Sequence, residues 1–143
     1  MRKINRSALV PYSAMQMYEL VGDFQSYPEF LPWCTNAILH TSNSNYLEAS
    51  LEFQRNGLTK SFRTKNTLNP GSSIEIELID GPFRHLAGKW SFVELTEDGS
   101  KVVLNFEFEF KNQIIDKLFG SYFEDTCNSL VSSFTSRAKE VYD

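Results

Sequence analysis

The chain has 143 residues, the size of one domain, with 41% hydrophobic, 22% charged and 14% aromatic side chains. Its 14 basic and 18 acidic side chains leave a formal net charge of −4, which argues against a dominant nucleic-acid-binding surface and leaves room for a local basic patch. No apolar run approaches the roughly 20 residues that span a bilayer, and Cys34 and Cys127 form neither a C-x-x-C pair nor a disulfide framework, so a reducing, cytoplasmic setting is expected.

Ile4 to Val10 reads as a first strand, stopped by Pro11. Ser13 and Gln16 then have capping-box spacing, which predicts a helix running to about Gly22 with Met17, Leu20 and Val21 on its apolar face. The segment Phe24 to Trp33 carries Pro28 and Pro32, so only a short second helix with a tight exit fits there. From about Ala37 to Phe110 the apolar period is two, clearest where Leu104, Phe106, Phe108 and Phe110 alternate with polar neighbours. Turns at Asn56-Gly57, Asn69-Pro70-Gly71, Asp80-Gly81-Pro82 and Glu97-Asp98-Gly99 divide this stretch into an antiparallel meander of about six strands.

From Asn112 to Tyr142 the helical period returns, with Ile115, Leu118, Phe119, Tyr122, Phe123, Cys127, Leu130, Phe134, Ala138 and Val141 on one stripe. The layout is α+β: a single domain, 1–143, in which a curved antiparallel sheet of about seven strands wraps a long C-terminal helix. A trial register that opposes Leu68 with Ser72 sets Lys65 against Glu75 and Arg63 against Glu77. The Asn56-Gly57 turn opposes Glu48 to Lys65, and pairing Phe92 with Leu104 opposes Lys89 to Glu107. Such pairs support register more than stability. They neutralise much of the basic charge on the strands.

The chemistry of common active sites is absent from the sequence. His40 and His85 fall on separate segments without HExxH spacing, a Cys/His cluster or a calcium loop, so no metal is expected. There is no G-x-S-x-G elbow, GxGxxG or phosphate-cradling loop. Glu75, Glu77, Glu107 and Glu109 alternate outward to water, where a general acid or base gains no shifted pKa. Neither catalytic residues nor a cofactor are expected. What remains is an aromatic interior: Phe53, Phe62, Leu78, Trp90, Phe92, Phe106 and Phe108 on the inward face of the sheet, with Phe119, Tyr122 and Phe123 approaching from the helix. By composition alone this is a dry core. A curved sheet closed by one helix can also leave space of the kind that binds apolar ligands.

Val10-Pro11-Tyr12-Ser13-Ala14 and Tyr27-Pro28-Glu29-Phe30-Leu31-Pro32-Trp33-Cys34 resemble the signature of the coenzyme Q-binding, START-like family, whose bacterial branch includes RatA-type ribosome association toxins. Asp80-Gly81-Pro82-Phe83 with Leu86, Gly88 and Trp90, then Phe106-Glu107-Phe108, Arg137-Ala138 and Val141-Tyr142 extend the resemblance along nearly the whole chain. Lys65 stands where that pattern has arginine. The resemblance implies a helix-grip fold and an apolar tunnel between sheet and helix that binds a polyprenyl quinone (ubiquinone) in support of respiration. Phe30, Leu31 and Trp33 would then lie near the tunnel mouth, as a lid or as an edge making transient contact with the inner membrane. It also implies an alternative partner, the large ribosomal subunit, for which Arg2, Lys3, Arg6 and Arg84 are the candidate phosphate contacts. A cyclase-like enzyme, as among distant START-like relatives, would need a polar group inside the cavity. Thr64 and Asn66 are the few inward polar positions.

Overall fold

A computed structural model describes residues 1–143. β1 (Arg2–Val10) is followed by α1 (Ala14–Gly22), a single 3-10 turn (Phe24–Ser26) and the short α2 (Tyr27–Phe30). The capping box at the start of α1 is formed: Gln16 N donates to Ser13 Oγ at 3.1 Å and Ser13 N to Gln16 Oε1 at 2.9 Å. The meander consists of β2 (Cys34–Ser42), β3 (Tyr46–Arg55), β4 (Leu58–Asn69), β5 (Ser73–Asp80), β6 (Phe83–Thr96) and β7 (Gly99–Phe110). All neighbours are antiparallel in one seven-stranded sheet of order β1-β7-β6-β5-β4-β3-β2. The chain ends in α3 (Gln113–Ile115), a π-helical turn (Asp116–Gly120) and α4 (Ser121–Tyr142), which together form the C-terminal helix across the concave face. The α+β, helix-grip architecture expected from the sequence is the one observed.

Two trial registers are corrected. The β4–β5 hairpin closes at Asn69–Ser73, so Lys65 faces Glu77, Thr67 faces Glu75 and Arg63 faces Asp80. Across β6–β7, Trp90 faces Leu104 and Phe92 faces Val102, which sets Lys89 against Asn105. Glu48 does oppose Lys65. Both errors are slips of two residues along most of the ladder: the first arises from where the turn closes, and the second from the turn together with a register shift between Glu94 and Thr96. A slip of two leaves every side chain on its own face, so the inward set survives it.

The helical stripe is corrected as well. Leu118 and Val141 are exposed, while Thr126 and Val131 are buried. The π-helical turn fits an extra residue into its circuit, which re-phases the face ahead of α4. Its last residue, Gly120, leaves room for a guanidinium: a Cβ there would stand 2.6 Å from Arg2 Nη2.

Gly88, on β6, sets how closely the sheet folds over itself. It faces Phe106, and a Cβ at Gly88 would lie 2.2 Å from Phe106 Cδ2 and 3.1 Å from the Asn105 carbonyl oxygen. Gly88→Ala is therefore expected to cost about 1–3 kcal/mol by overpacking, a fall of roughly 3–10 °C in Tm by thermal denaturation. Adding Phe106→Leu should recover part of that loss. An unchanged Tm in the single variant would contradict this account of the bend.

Candidate functional site

Between the sheet and α4 lies a cavity of about 60 Å³ with 15 lining residues, 13 of them apolar. It is walled by Leu51 on β3, Phe62 on β4, Ile76 on β5, Trp90 on β6, and Leu104 and Phe106 on β7. Phe123, Cys127, Leu130 and Phe134 close it from α4, and Phe24, Tyr27 and Trp33 cap it from the segment after α1. Its two polar walls, Thr64 and Asn66, are both buried. No charged side chain lines it.

The volume corrects the expectation of a roomy tunnel. About 60 Å³ holds roughly two waters, whereas small-molecule sites typically run to about 300–1,000 Å³. Ten of the twelve phenylalanines are buried in the core, which leaves little of the concavity empty. Leu51, Ile76, Phe106 and Leu130 are only half-buried, so the wall reaches solvent at these four side chains. A guest larger than water has to part them.

Of the aromatic and aliphatic residues expected to line the site, Trp33, Phe62, Trp90, Phe106 and Phe123 do so. The others pack elsewhere. Phe53 sits against Phe62, Phe119 and Phe123, Phe108 against Phe83, Phe110 and Phe123, and Phe92 between Tyr18 and Trp90. Leu78 is half-buried near the end of β5, and Tyr122 lies beneath Arg55, whose Cζ is 5.1 Å from the ring centroid. Leu31 and Trp33 are buried. Phe30 is half-buried, its ring against Tyr27 and Phe134 with Arg137 above it. The segment is thus a plug, and these three side chains do not form the exposed edge anticipated for membrane contact, because Leu31 and Trp33 join the core and Phe30 packs against it.

Phe24, Tyr27, Leu51, Ile76, Leu104, Cys127, Leu130 and Phe134 line the cavity without having been singled out as site residues. Inward alternation marks Leu51, Ile76 and Leu104, and the helical stripe already held Cys127, Leu130 and Phe134. Phe24 and Tyr27 carry no periodic signal, since they reach the cavity from an irregular turn.

The basic candidates divide. Arg2 is bound to the C-terminal helix, with Nε and Nη2 donating to Asp116 Oδ1 and Oδ2 at 3.1 and 3.0 Å and Nη1 to Glu124 Oε1 at 2.7 Å. These hydrogen bonds, Asp116 foremost, hold its guanidinium still further above its ordinary pKa. Arg84 Nη1 stands 3.7 Å from Glu109 Oε2. Arg6 is exposed and donates to Asn128 Oδ1, and Lys3 is exposed. An open groove of about 410 Å³ runs beside Lys3, Asn5, Lys89, Asn105 and Glu107 and shares Phe106 with the interior cavity. His40 bonds Ser50 and His85 bonds Glu107, on separate strands.

Among the titratable groups of the cavity wall, burial raises the Tyr27 hydroxyl well above its usual range, and that hydroxyl donates to the Val21 carbonyl. Burial likewise pushes up the Cys127 thiol. Cys34, outside the cavity wall, is pushed up to about 11 by burial. Both groups of the wall keep their protons at neutral pH, and the interior offers no base.

Residues 10–135 match the family model described as polyketide cyclase/dehydrase and lipid transport. The chain is 44% identical over 142 residues to a ribosome association toxin RatA of Escherichia coli strain K12, covering 99% of this chain and 90% of that protein. It is 28% identical over 142 residues to the mitochondrial coenzyme Q-binding protein COQ10 of Drosophila melanogaster, covering 96% of this chain and 59% of that protein. A START superfamily protein from Mycobacterium smegmatis shares the fold at a TM-score of 0.77 and 20% identity, with 99% of each chain covered.

The raised thiols carry a pH signature. An unfolded thiol releases its proton near the ordinary value of 9.0, while the folded chain retains it, so stability falls as pH rises from there toward about 11. Tm should be level across neutral pH and decline above it, less steeply in Cys127→Ala. A thiol reagent at pH 8 should label neither cysteine before denaturation. Rapid labelling of the native protein would contradict the burial of both.

Proposed function

The chain belongs to the polyketide cyclase/dehydrase and lipid transport family, and we propose that within it the protein is a non-enzymatic carrier that holds a polyprenyl quinone between the sheet and the C-terminal helix, in support of respiration. The observation that carries this reading is the cavity wall: 13 of 15 lining residues are apolar and none is charged. Such a wall favours a neutral hydrophobic guest, because an ion brought there would lose its hydration without gaining a partner. Tyr27 and Cys127 are held protonated, which leaves no group poised for acid–base catalysis. The coenzyme Q-binding name of the COQ10 relative points in the same direction.

At about 0.8 kcal/mol per buried CH₂, one five-carbon isoprenoid unit gains roughly 4 kcal/mol. Two or three units reach micromolar binding, about −8 kcal/mol, once ordering and the parting of the walls are subtracted. Leu51, Ile76, Phe106 and Leu130, already half-exposed, are the side chains that move. Most of a polyprenyl tail remains outside, against a membrane or a partner. The carrier would work in the cytoplasm, peripheral to the inner membrane. No helix is long and apolar enough to cross one.

A second reading is favoured by the identity to RatA proteins: association with the large ribosomal subunit through exposed cations. Lys3 and Arg6 would make the phosphate contacts, since Arg2 and Arg84 are already engaged with carboxylates. The two readings separate in one preparation. Protein purified from its native host, extracted with organic solvent and analysed by mass spectrometry, should yield a polyprenyl quinone in near-stoichiometric amount. A lipid-free protein that co-sediments with the large subunit, and is released by salt, would overturn the carrier and install the ribosomal reading.

A further inference from the structure

Asn66 is fully buried, and neither its Nδ2 nor its Oδ1 has a hydrogen-bonding partner in the protein. Its neighbours across the sheet explain why: Leu47 on β3 and Ile76 on β5 offer it only hydrocarbon. The side chain lines the interior cavity, as does Trp33, whose Nε1 is also buried without a partner. Two residues of the cavity wall therefore hold between them two unpaired donor groups and one unpaired acceptor, in a wall whose one other polar member is Thr64. Interiors rarely leave such groups unpaired, because each costs the desolvation of a polar atom.

We infer that Asn66 and Trp33 form the head-group subsite of the cavity, and that they select a neutral ligand head carrying a hydroxyl, a quinol in preference to its quinone. This rests on the carrier reading above. A hydroxyl accepts from the Asn66 amide nitrogen or the Trp33 indole and donates to Asn66 Oδ1. A quinone oxygen can only accept, which leaves Oδ1 unpaired. The conclusion is the same whichever way round the amide is set. A carboxylate head would enter with no cation in the wall to meet it. A plain hydrocarbon would strand the amide altogether.

The test compares a short-chain ubiquinol kept reduced under anaerobic conditions, the corresponding ubiquinone, a polyprenyl hydrocarbon of matched length and a fatty acid. Dissociation constants come from equilibrium partition out of phosphatidylcholine vesicles, with bound lipid counted by mass spectrometry. The wild type should bind the quinol at least fivefold tighter than the quinone and more than tenfold tighter than the hydrocarbon or the fatty acid. Asn66→Leu should bring the quinol, quinone and hydrocarbon within about twofold of one another and raise the Tm of the empty protein, since an unpaired amide is replaced by hydrocarbon of similar size. Asn66→Thr, which keeps a donor and an acceptor, should retain the preference for quinol.

Equal affinities in the wild type, an unchanged order in Asn66→Leu, or loss of the order in both variants would overturn the subsite while leaving a lipid carrier standing. A fatty acid bound most tightly would overturn the neutral head. If the wild type binds none of the polyprenyl compounds while Asn66→Leu still raises Tm, the amide is an unpaired group of the core only, and the carrier reading falls with the subsite.

Discussion

Ring packing between the concave sheet and the C-terminal helix holds this fold together. Phe123 meets Phe53, Phe62, Phe83, Phe108 and Phe110 at centroid distances of 5.1, 5.9, 5.3, 4.9 and 6.0 Å. One helical side chain thereby gathers rings from β3, β4, β6 and β7. Such pairs contribute about 0.5–1.5 kcal/mol each beyond the area they bury, and they form only where the sheet is bent tightly enough to bring these four strands to one ring. Gly88 provides part of that bend by letting Phe106 lie across it. Gly81 provides another: at φ 150° it turns β5 into β6 and leaves space for Phe62, which a Cβ would approach to 2.6 Å.

The same geometry explains why the filling is incomplete. Rings on strands and rings on a helix have different spacings, so they mesh around Phe123 and fall short farther along α4, where Cys127 and Leu130 offer smaller side chains. Asn66 faces that gap. A leucine there would pack and cost nothing in lost hydrogen bonds, so the amide is a local sacrifice of stability of the sort expected at functional sites rather than in structural cores. The Arg2 clamp acts at the opposite end of the helix, tying β1 to Asp116 and Glu124 across the π-helical turn.

Much of this could be read from the residues. Strict alternation through Leu104, Phe106, Phe108 and Phe110 identified the inward face, and Ser13 with Gln16 marked the first helix. The β4–β5 register slips by two because Pro70 and Gly71 define a turn without stating which pair closes it, and the β6–β7 register because a shift between Glu94 and Thr96 leaves no mark in the alternation. The π-helical turn left no trace in a stripe of apolar residues, so Leu118 was assigned inward although it is exposed. The Arg2 pairs join residues separated by more than a hundred positions, which no local pattern encodes. Thr64 and Asn66 were legible as inward and polar. Whether an inward amide is paired, and how much room it faces, depends on packing from strands and helix together, which no local pattern encodes.

The central claim is that the interior beside Asn66 admits a guest by parting its half-buried wall. The most direct measurement is an NMR titration of the isotope-labelled protein with a polyprenyl quinol, following the backbone amides together with the indole N–H of Trp33 and the side-chain amide of Asn66. The account predicts saturable shifts at equal stoichiometry, concentrated at Trp33, Leu51, Asn66, Ile76 and Leu130. Shifts confined to the outer strands around Lys3 and Arg6, with the indole and the buried amide unmoved, would contradict it.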